Sequence, residues 1–105
     1  MSVLLVFTSL PDRASAEKLA DALVGQRLAA CVTILAPGLS VYRWKDEVQH
    51  DEECPVLIKT SAERYPALEG AIRANHPYEL PEIIAVPVER GLPEYLSWVA
   101  QETRP

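Results

Sequence analysis

The apolar positions of this chain change their spacing several times, and each change predicts a new element of structure. The run Val3–Thr8 is short and almost continuously apolar, which is typical of a buried strand. After Asp12, a residue suited to capping a helix, apolar side chains recur every three or four positions and predict one buried helical face. That face consists of Ala16, Leu19, Ala20, Leu23 and Leu28, with Gly25 near the helix end.

The middle of the chain predicts a long β-hairpin, because two apolar strands flank an alternating stretch and a polar turn. A Pro-Gly step inside the first strand predicts a bulge or bend at that point. The hairpin consists of Ala30–Leu35, a bend at Ala36-Pro37-Gly38, the alternating segment Leu39–Trp44, a turn at Lys45-Asp46-Glu47, an exposed segment Val48–Asp51, and the returning strand Val56–Thr60.

The C-terminal half predicts a helix, a strand and a further helix. Helical spacing begins near Tyr65 and stops at Asn75, and Glu82–Val88 is the next strand-like run. Pro93 predicts the start of a last helix, whose buried side would carry Leu92, Leu96 and Val99. The resulting order is the βαββαβ pattern of ferredoxin-like α+β folds, with an extra C-terminal helix, in a single domain over residues 1–105.

Composition narrows the classes of function. The chain of 105 residues has a formal net charge of −5, which disfavours binding to nucleic acid. No apolar run approaches the roughly 20 residues of a membrane-spanning helix, so we expect no membrane insertion. The N-terminus lacks the basic segment of a secretion signal and the chain has 2 cysteines, so we expect a cytoplasmic protein with reduced thiols.

The predicted fold leaves apolar surface uncovered. Helices cover one face of the sheet, while the other face and a protruding hairpin with Tyr42, Trp44 and Val48 face outwards. A hydrophobic content of 49% supports concealment of this surface between copies of the chain. We therefore expect an obligate homo-oligomer in a closed ring, with a monomer carrying a flexible hairpin as the alternative.

A set of short motifs stands in a fixed order along nearly the whole chain. They are Leu28–Val32, Tyr42–Trp44, Ile58–Thr60, His76–Glu79, Pro81–Ile83 and Glu94–Trp98. In this order they resemble the CutA family, the divalent-cation tolerance proteins. The resemblance implies a ferredoxin-like homotrimer in the bacterial cytoplasm, associated with tolerance to divalent metals and to copper above all. It also implies similarity in fold and assembly to the PII signalling trimers, which bind small effectors between subunits.

The connector His76–Glu82 and a single cysteine supply the best candidate metal ligands. The connector holds an imidazole, a phenol and two carboxylates between two prolines, so it is either a site or a stiff turn. Cys31 and His76 would suit Cu²⁺ or zinc, with oxygen from Glu79 or Glu82, within one subunit or across an interface. The alternative is that Cys31 is a small buried apolar residue and His76 ends a helix.

A second candidate group would line a cleft between subunits. Its members are Tyr42, Trp44, Lys59, Tyr78 and Glu82. Three aromatic rings with one charge of each sign suit a small effector, and the alternative is ordinary packing between subunits. The sequence has no nucleophile elbow, phosphate loop or dinucleotide-binding glycine motif, so we expect no enzyme. The main hypothesis is a metal-tolerance trimer that binds copper or another divalent cation, and the alternative is a PII-like effector-binding trimer.

Overall fold

The computed structural model describes residues 2–105 and has the mixed α+β architecture that the sequence predicts. Asp12 caps the first helix, because its side chain accepts a hydrogen bond from the Ser15 N–H at 2.7 Å. The elements in chain order are β1 Val3–Leu10, α1 Arg13–Gly25, β2 Cys31–Ile34, β3 Gly38–Trp44, β4 Glu47–Ser61, a 3₁₀ turn Ala62–Arg64, α2 Tyr65–Asn75, β5 Ile84–Pro87 and α3 Pro93–Glu102.

The strands form one antiparallel sheet in the order β2-β4-β1-β5, and β3 pairs with the first half of β4. This order confirms the ferredoxin-like prediction, with the second predicted strand divided into β2 and β3 at its Pro-Gly bend. Because β5 lies at the edge of the sheet, Pro87 is tolerated there although it cannot donate to a ladder.

Strand β3 and the facing half of β4 form a two-stranded arm over residues 38–53. Its pairing runs from Gly38 opposite Glu53 to Trp44 opposite Glu47. Lys45 and Asp46 connect the strands with φ angles of 50° and 67°, which are the left-handed values of a tight two-residue hairpin turn. The arm makes the molecule elongated, with extents of 44 × 25 × 23 Å.

Strand β4 runs without interruption for 15 residues, whereas the sequence predicted two separate segments. Pro55 lies inside this strand, and the thiol of the preceding Cys54 accommodates it. The Leu35 N–H donates to the Pro55 carbonyl at 3.0 Å, but Pro55 has no N–H to return to Leu35. The Cys54 thiol donates to the Leu35 carbonyl at 3.2 Å instead, so this carbonyl keeps a partner.

The helices α1 and α2 cover one face of the sheet, which we call the covered face. Its fully buried side chains include Val6, Leu10 and Ile58 from the strands, packed with residues of both helices. The register places Leu5, Phe7, Leu57, Ile84 and Val86 on the opposite, open face. Strand β5 is the least covered, with Ile84 54% and Val86 44% exposed.

Helix α3 packs at one end of the open face. The prediction of which of its residues are buried is only partly correct. Val99 is fully buried and Leu96 half-buried, as predicted. The prediction for Leu92 is wrong, because this residue is 66% exposed. Leu92 stands just before the helix with extended backbone angles, so its side chain does not share the helical face.

Candidate functional site

The connector between α2 and β5 is held against strand β1 by His76. The ring atom Nε2 lies 2.7 Å from the Ser9 carbonyl oxygen, to which it donates, and the Tyr78 N–H donates to Nδ1 at 3.2 Å. The imidazole therefore has one protonated and one accepting nitrogen, both in use. The His76 and Tyr78 rings also pack together, with centroids 4.8 Å apart.

A cleft of about 850 Å³ opens between this connector and the arm. Its walls are partly aromatic and partly acidic. The residues lining it are Ser9, Pro11, Ser40, Val41, Tyr42, Trp44, Asp51, Glu52, Glu53, Pro77, Tyr78, Glu79, Leu80 and Glu82. Within the described part of the chain, these lining residues include no Lys, Arg or His. The cleft therefore has a negative electrostatic character.

Two phenols in the cleft are paired with carboxylates of the arm. The Tyr42 hydroxyl donates a short hydrogen bond to Asp51 Oδ2, which raises the pKa of Tyr42. Burial raises the pKa of Tyr78 far above its usual value, and a hydrogen bond to the Glu53 carboxylate raises it further. Both tyrosines are therefore neutral donors at neutral pH, and Tyr78 connects the connector to the arm.

The cleft contains four of the five residues that the sequence proposed for it, namely Tyr42, Trp44, Tyr78 and Glu82. Lys59 lies elsewhere, on the open face, where its Nζ is 4.0 Å from Cys31 Sγ and 5.7 Å from the Tyr95 ring centroid.

The sequence analysis missed Asp51 and Glu53, which face the phenols. Their alternation in the arm was a usable signal, because alternate residues of a strand point to one side.

The three proposed metal ligands do not meet within one subunit. Cys31 is paired with Lys59, and Lys59 with Leu5 of β1, whereas His76 bonds to Ser9. Leu5 and Ser9 are four positions apart along β1, which corresponds to a distance of about 13 Å. Glu79 lines the cleft on the side of His76. Across residues 2–105, no three His, Cys, Asp or Glu side chains are grouped so that they could hold a metal ion.

The fold and the cleft define the class of protein: a ferredoxin-like α+β chain with a projecting hairpin arm and an acidic cleft between that arm and the connector. A family model described as the CutA1 divalent ion tolerance protein matches residues 4–102. The chain belongs to this CutA1 family.

Named relatives agree with the family assignment. The divalent-cation tolerance protein CutA of Thermus thermophilus is 45% identical over 100 residues, which are 94% of this chain and 96% of that protein. The mouse protein CutA is 44% identical over 97% of this chain, but the chain spans only 58% of the mouse protein's length. A crystal structure of CutA from Xylella fastidiosa matches with a TM-score of 0.96 at 46% identity, and covers 99% of this chain and 100% of that one.

The relatives differ in the compartment that their names give. A relative from Arabidopsis thaliana, 41% identical over 96% of this chain, is named chloroplastic. In residues 2–105 no helix has both the length and the apolar character needed to cross a membrane.

Proposed function

We propose that this chain forms a homotrimer in the cytoplasm and contributes to divalent-metal tolerance by binding the ion, copper above all, without catalysing a reaction. Membership of a family named for tolerance to divalent ions supports the role in metal tolerance. The observation that supports the proposed homotrimer is the exposed apolar surface of the open face and the arm. Ile84 is 54% exposed, Val41 58% and Val48 53%, and a closed ring of subunits removes such surface from water.

The proposed metal site lies between subunits and uses Cys31, His76 and Glu79. Thiolate, imidazole and carboxylate together suit Cu²⁺ or zinc. Cys31 is half-exposed on the open face and Glu79 is exposed at the cleft, so both can reach a neighbouring subunit. His76 is half-buried and must give up one of its two hydrogen bonds to bind a metal. Metal binding by His76 would therefore loosen the connector from β1 or from Tyr78.

Sedimentation velocity and calorimetric titration test the two parts of this proposal. We expect one species with three times the mass of the chain. We expect Cu²⁺ affinity to fall at least roughly tenfold in Cys31→Ala and in His76→Ala, and by less in Glu79→Gln, because each change removes one ligand. His50→Ala is the matched control, since His50 is exposed on the arm. Equal affinity in the wild type, Cys31→Ala and His76→Ala would reject the site.

The cleft favours a second candidate function, a PII-like trimer that binds a small effector. About 850 Å³ with aromatic walls is enough for a metabolite-sized ligand, and Tyr42, Trp44, Tyr78 and Glu82 all line it. The negative lining favours an effector with a cationic or amphipathic group. A thermal-shift screen of metabolites tests this function, with Trp44→Ala as the variant that should lose the response. A screen without any stabilising compound would count against it.

A further inference from the structure

Lys59 places a positive charge beside one of the proposed metal ligands. Cys31 and Lys59 are directly opposite each other in the register of β2 and β4, so their side chains leave the same face of the sheet. The Lys59 Nζ lies 4.0 Å from Cys31 Sγ. Because strand pairing makes these two residues neighbours, an ion bound by the Cys31 sulfur lies close to the Lys59 ammonium.

The ammonium is held by an aromatic ring and has no carboxylate partner within the subunit. Its Nζ is 5.7 Å from the centroid of the Tyr95 ring, within the range of a cation–π contact. The residues beside it at the same level of the open face are Leu5 on β1 and Val86 on β5, both apolar. Among residues 2–105 no Asp or Glu forms an ion pair with Lys59. Lys59 is half-buried, so water and salt screen its charge only in part.

The sum of the charges favours an ion with a single positive charge. The proposed ligands are the thiolate of Cys31, the carboxylate of Glu79 and the neutral imidazole of His76. The Lys59 ammonium reduces their total from two negative charges to one. A singly charged ion then leaves the site neutral, whereas a doubly charged ion leaves an excess positive charge where water screens it poorly.

Of the two metals that this ligand set suits, copper is the one with a singly charged state. Thiolate is a soft ligand that selects Cu⁺, whereas zinc is bound as Zn²⁺ and has no redox chemistry. The charge of Lys59 and the softness of the Cys31 sulfur therefore favour the same ion, Cu⁺.

We propose that Lys59 sets the specificity of the proposed metal site, and that its ammonium makes the site prefer Cu⁺ to Zn²⁺ and other divalent ions. This inference rests on the proposed function, because it requires that Cys31 binds the metal. Lys59 acts through its charge and is not one of the ligands. Its role requires no exposure of the amine, so it is compatible with burial of the open face between subunits.

Removal of the charge tests this role. Lys59→Met replaces the ammonium by an uncharged, flexible side chain. The repulsion between a fixed charge and an ion is proportional to the charge of the ion, so the fold-change for Zn²⁺ should be the square of that for Cu⁺. We expect the Zn²⁺ affinity to rise at least roughly tenfold and the Cu⁺ affinity about threefold. Calorimetry measures Zn²⁺ binding, and competition with a colorimetric chelator under anaerobic, reducing conditions measures Cu⁺ binding.

Lys59→Arg is the matched control, because it keeps the charge. The ratio of its two affinities should stay within about twofold of the wild-type ratio. Sedimentation velocity checks that the variants have the mass of the wild type, so that the comparison concerns the site and not the assembly. If Lys59→Met does not assemble, Lys59→Gln takes its place with the same expected ratio.

Cys31→Ala separates failure of this inference from failure of the proposed function. If it leaves both affinities unchanged, the proposed metal site is wrong and the role of Lys59 is rejected with it. If Cys31→Ala weakens binding but Lys59→Met leaves the ratio of the two affinities unchanged, the site stands and the specificity role of Lys59 is overturned. In the Cys31→Ala background, we expect Lys59→Met to lose its effect on the ratio.

Discussion

The covered and open faces of the sheet are built from alternate residues of the same strands, yet they differ greatly in burial. On β4, Ile58 on the covered face is fully buried, whereas its neighbours Leu57 and Lys59 on the open face are half-buried. On β5, Ile84 and Val86 are more than two-fifths exposed. Helices α1 and α2 pack over the covered face, whereas on the open face only α3 packs, at one end.

This difference in burial separates the face that stabilises a single subunit from the face that is available to other molecules. The covered face can form within a single subunit, because each of its apolar side chains already has packing partners. The open face has apolar side chains without such partners, and they lie next to Cys31, Lys59 and the arm. Interactions with other molecules are therefore expected on the open side.

The largest expected effect is loss of the proposed trimer when a charge is introduced on the open face. In Val86→Glu, a carboxylate would have to be buried between subunits without a partner, at a cost of several kcal/mol. We expect the trimer dissociation constant to rise by at least roughly a thousandfold. Analytical ultracentrifugation over a dilution series measures this change.

The control for this prediction is Val24→Glu. Val24 lies on α1 and is 44% exposed, the same fraction as Val86. If simple exposure decides the outcome, both variants should behave alike. If the open face is the interface, only Val86→Glu should dissociate, and a trimeric Val86→Glu protein would contradict the proposed assembly.

The next effect in size distinguishes packing within a subunit from packing between subunits. Ile58→Ala should lower the free energy of unfolding by about 3 kcal/mol, because it leaves a cavity in a closed core. This loss should be the same at every protein concentration. Ile84→Ala should cost under about 1 kcal/mol in a dissociated subunit, and more as concentration rises and the subunits assemble. Urea unfolding at several concentrations measures both, and a concentration-independent loss in Ile84→Ala would place its packing within the subunit.

The covered face was the predictable part of the fold. A short, almost continuously apolar run identified β1, and helical spacing identified α1 and α2 together with the Asp12 cap, because a buried strand and a half-buried helix each require apolar residues in a regular pattern. The continuity of β4 was missed, since the Cys54 thiol that accompanies Pro55 in the strand bonds to the carbonyl of Leu35, a residue just after β2 and distant in sequence. The exposure of Leu92 was missed because the start of α3 is decided by backbone angles at one residue.

The cleft could be predicted only in part. Tyr42, Trp44, Tyr78 and Glu82 line one cleft within the subunit, because the arm and the connector leave the same end of the sheet. Lys59 does not line this cleft within one subunit, because its level along the sheet follows from the β1–β4 register. That register depends on contacts between distant residues and is not readable from local sequence.

A smaller effect concerns two buried threonines, which differ in hydrogen bonding. Thr60 Oγ1 donates to the Leu28 carbonyl at 2.7 Å, whereas Thr8 Oγ1 is the buried side-chain oxygen without a partner among the described residues. Thr60→Val should lower the free energy of unfolding by about 1–2 kcal/mol, because it leaves a buried carbonyl without this donor. Thr8→Val should raise it by up to about 1 kcal/mol. Thermal and urea unfolding of the two valine variants measure the difference, and equal losses would contradict this assignment.

The smallest expected effect is on the pH dependence of the free energy of unfolding, which should differ between a tyrosine of the cleft and a tyrosine of helix α2. Burial and the Glu53 carboxylate raise the pKa of Tyr78, so the folded state retains the phenolic proton at a pH where the unfolded chain releases it. The stability contributed by Tyr78 is therefore fully present below the unfolded pKa near 10 and declines as the pH rises above it. Tyr78→Phe should flatten this decline between about pH 9 and 11.

Tyr65→Phe provides the comparison for Tyr78→Phe, because burial and Glu69 raise the pKa of Tyr65 as well, but the phenol lies on α2 with a single carboxylate partner. Its substitution should flatten the alkaline decline less than that of Tyr78, which also faces Tyr42 and Asp51. The slope of unfolding free energy against pH is the quantity to compare, because each substitution also removes a hydrogen bond and shifts the curve as a whole. Equal slopes in both variants would mean that the acidic cleft does not act on the Tyr78 hydroxyl as its geometry implies.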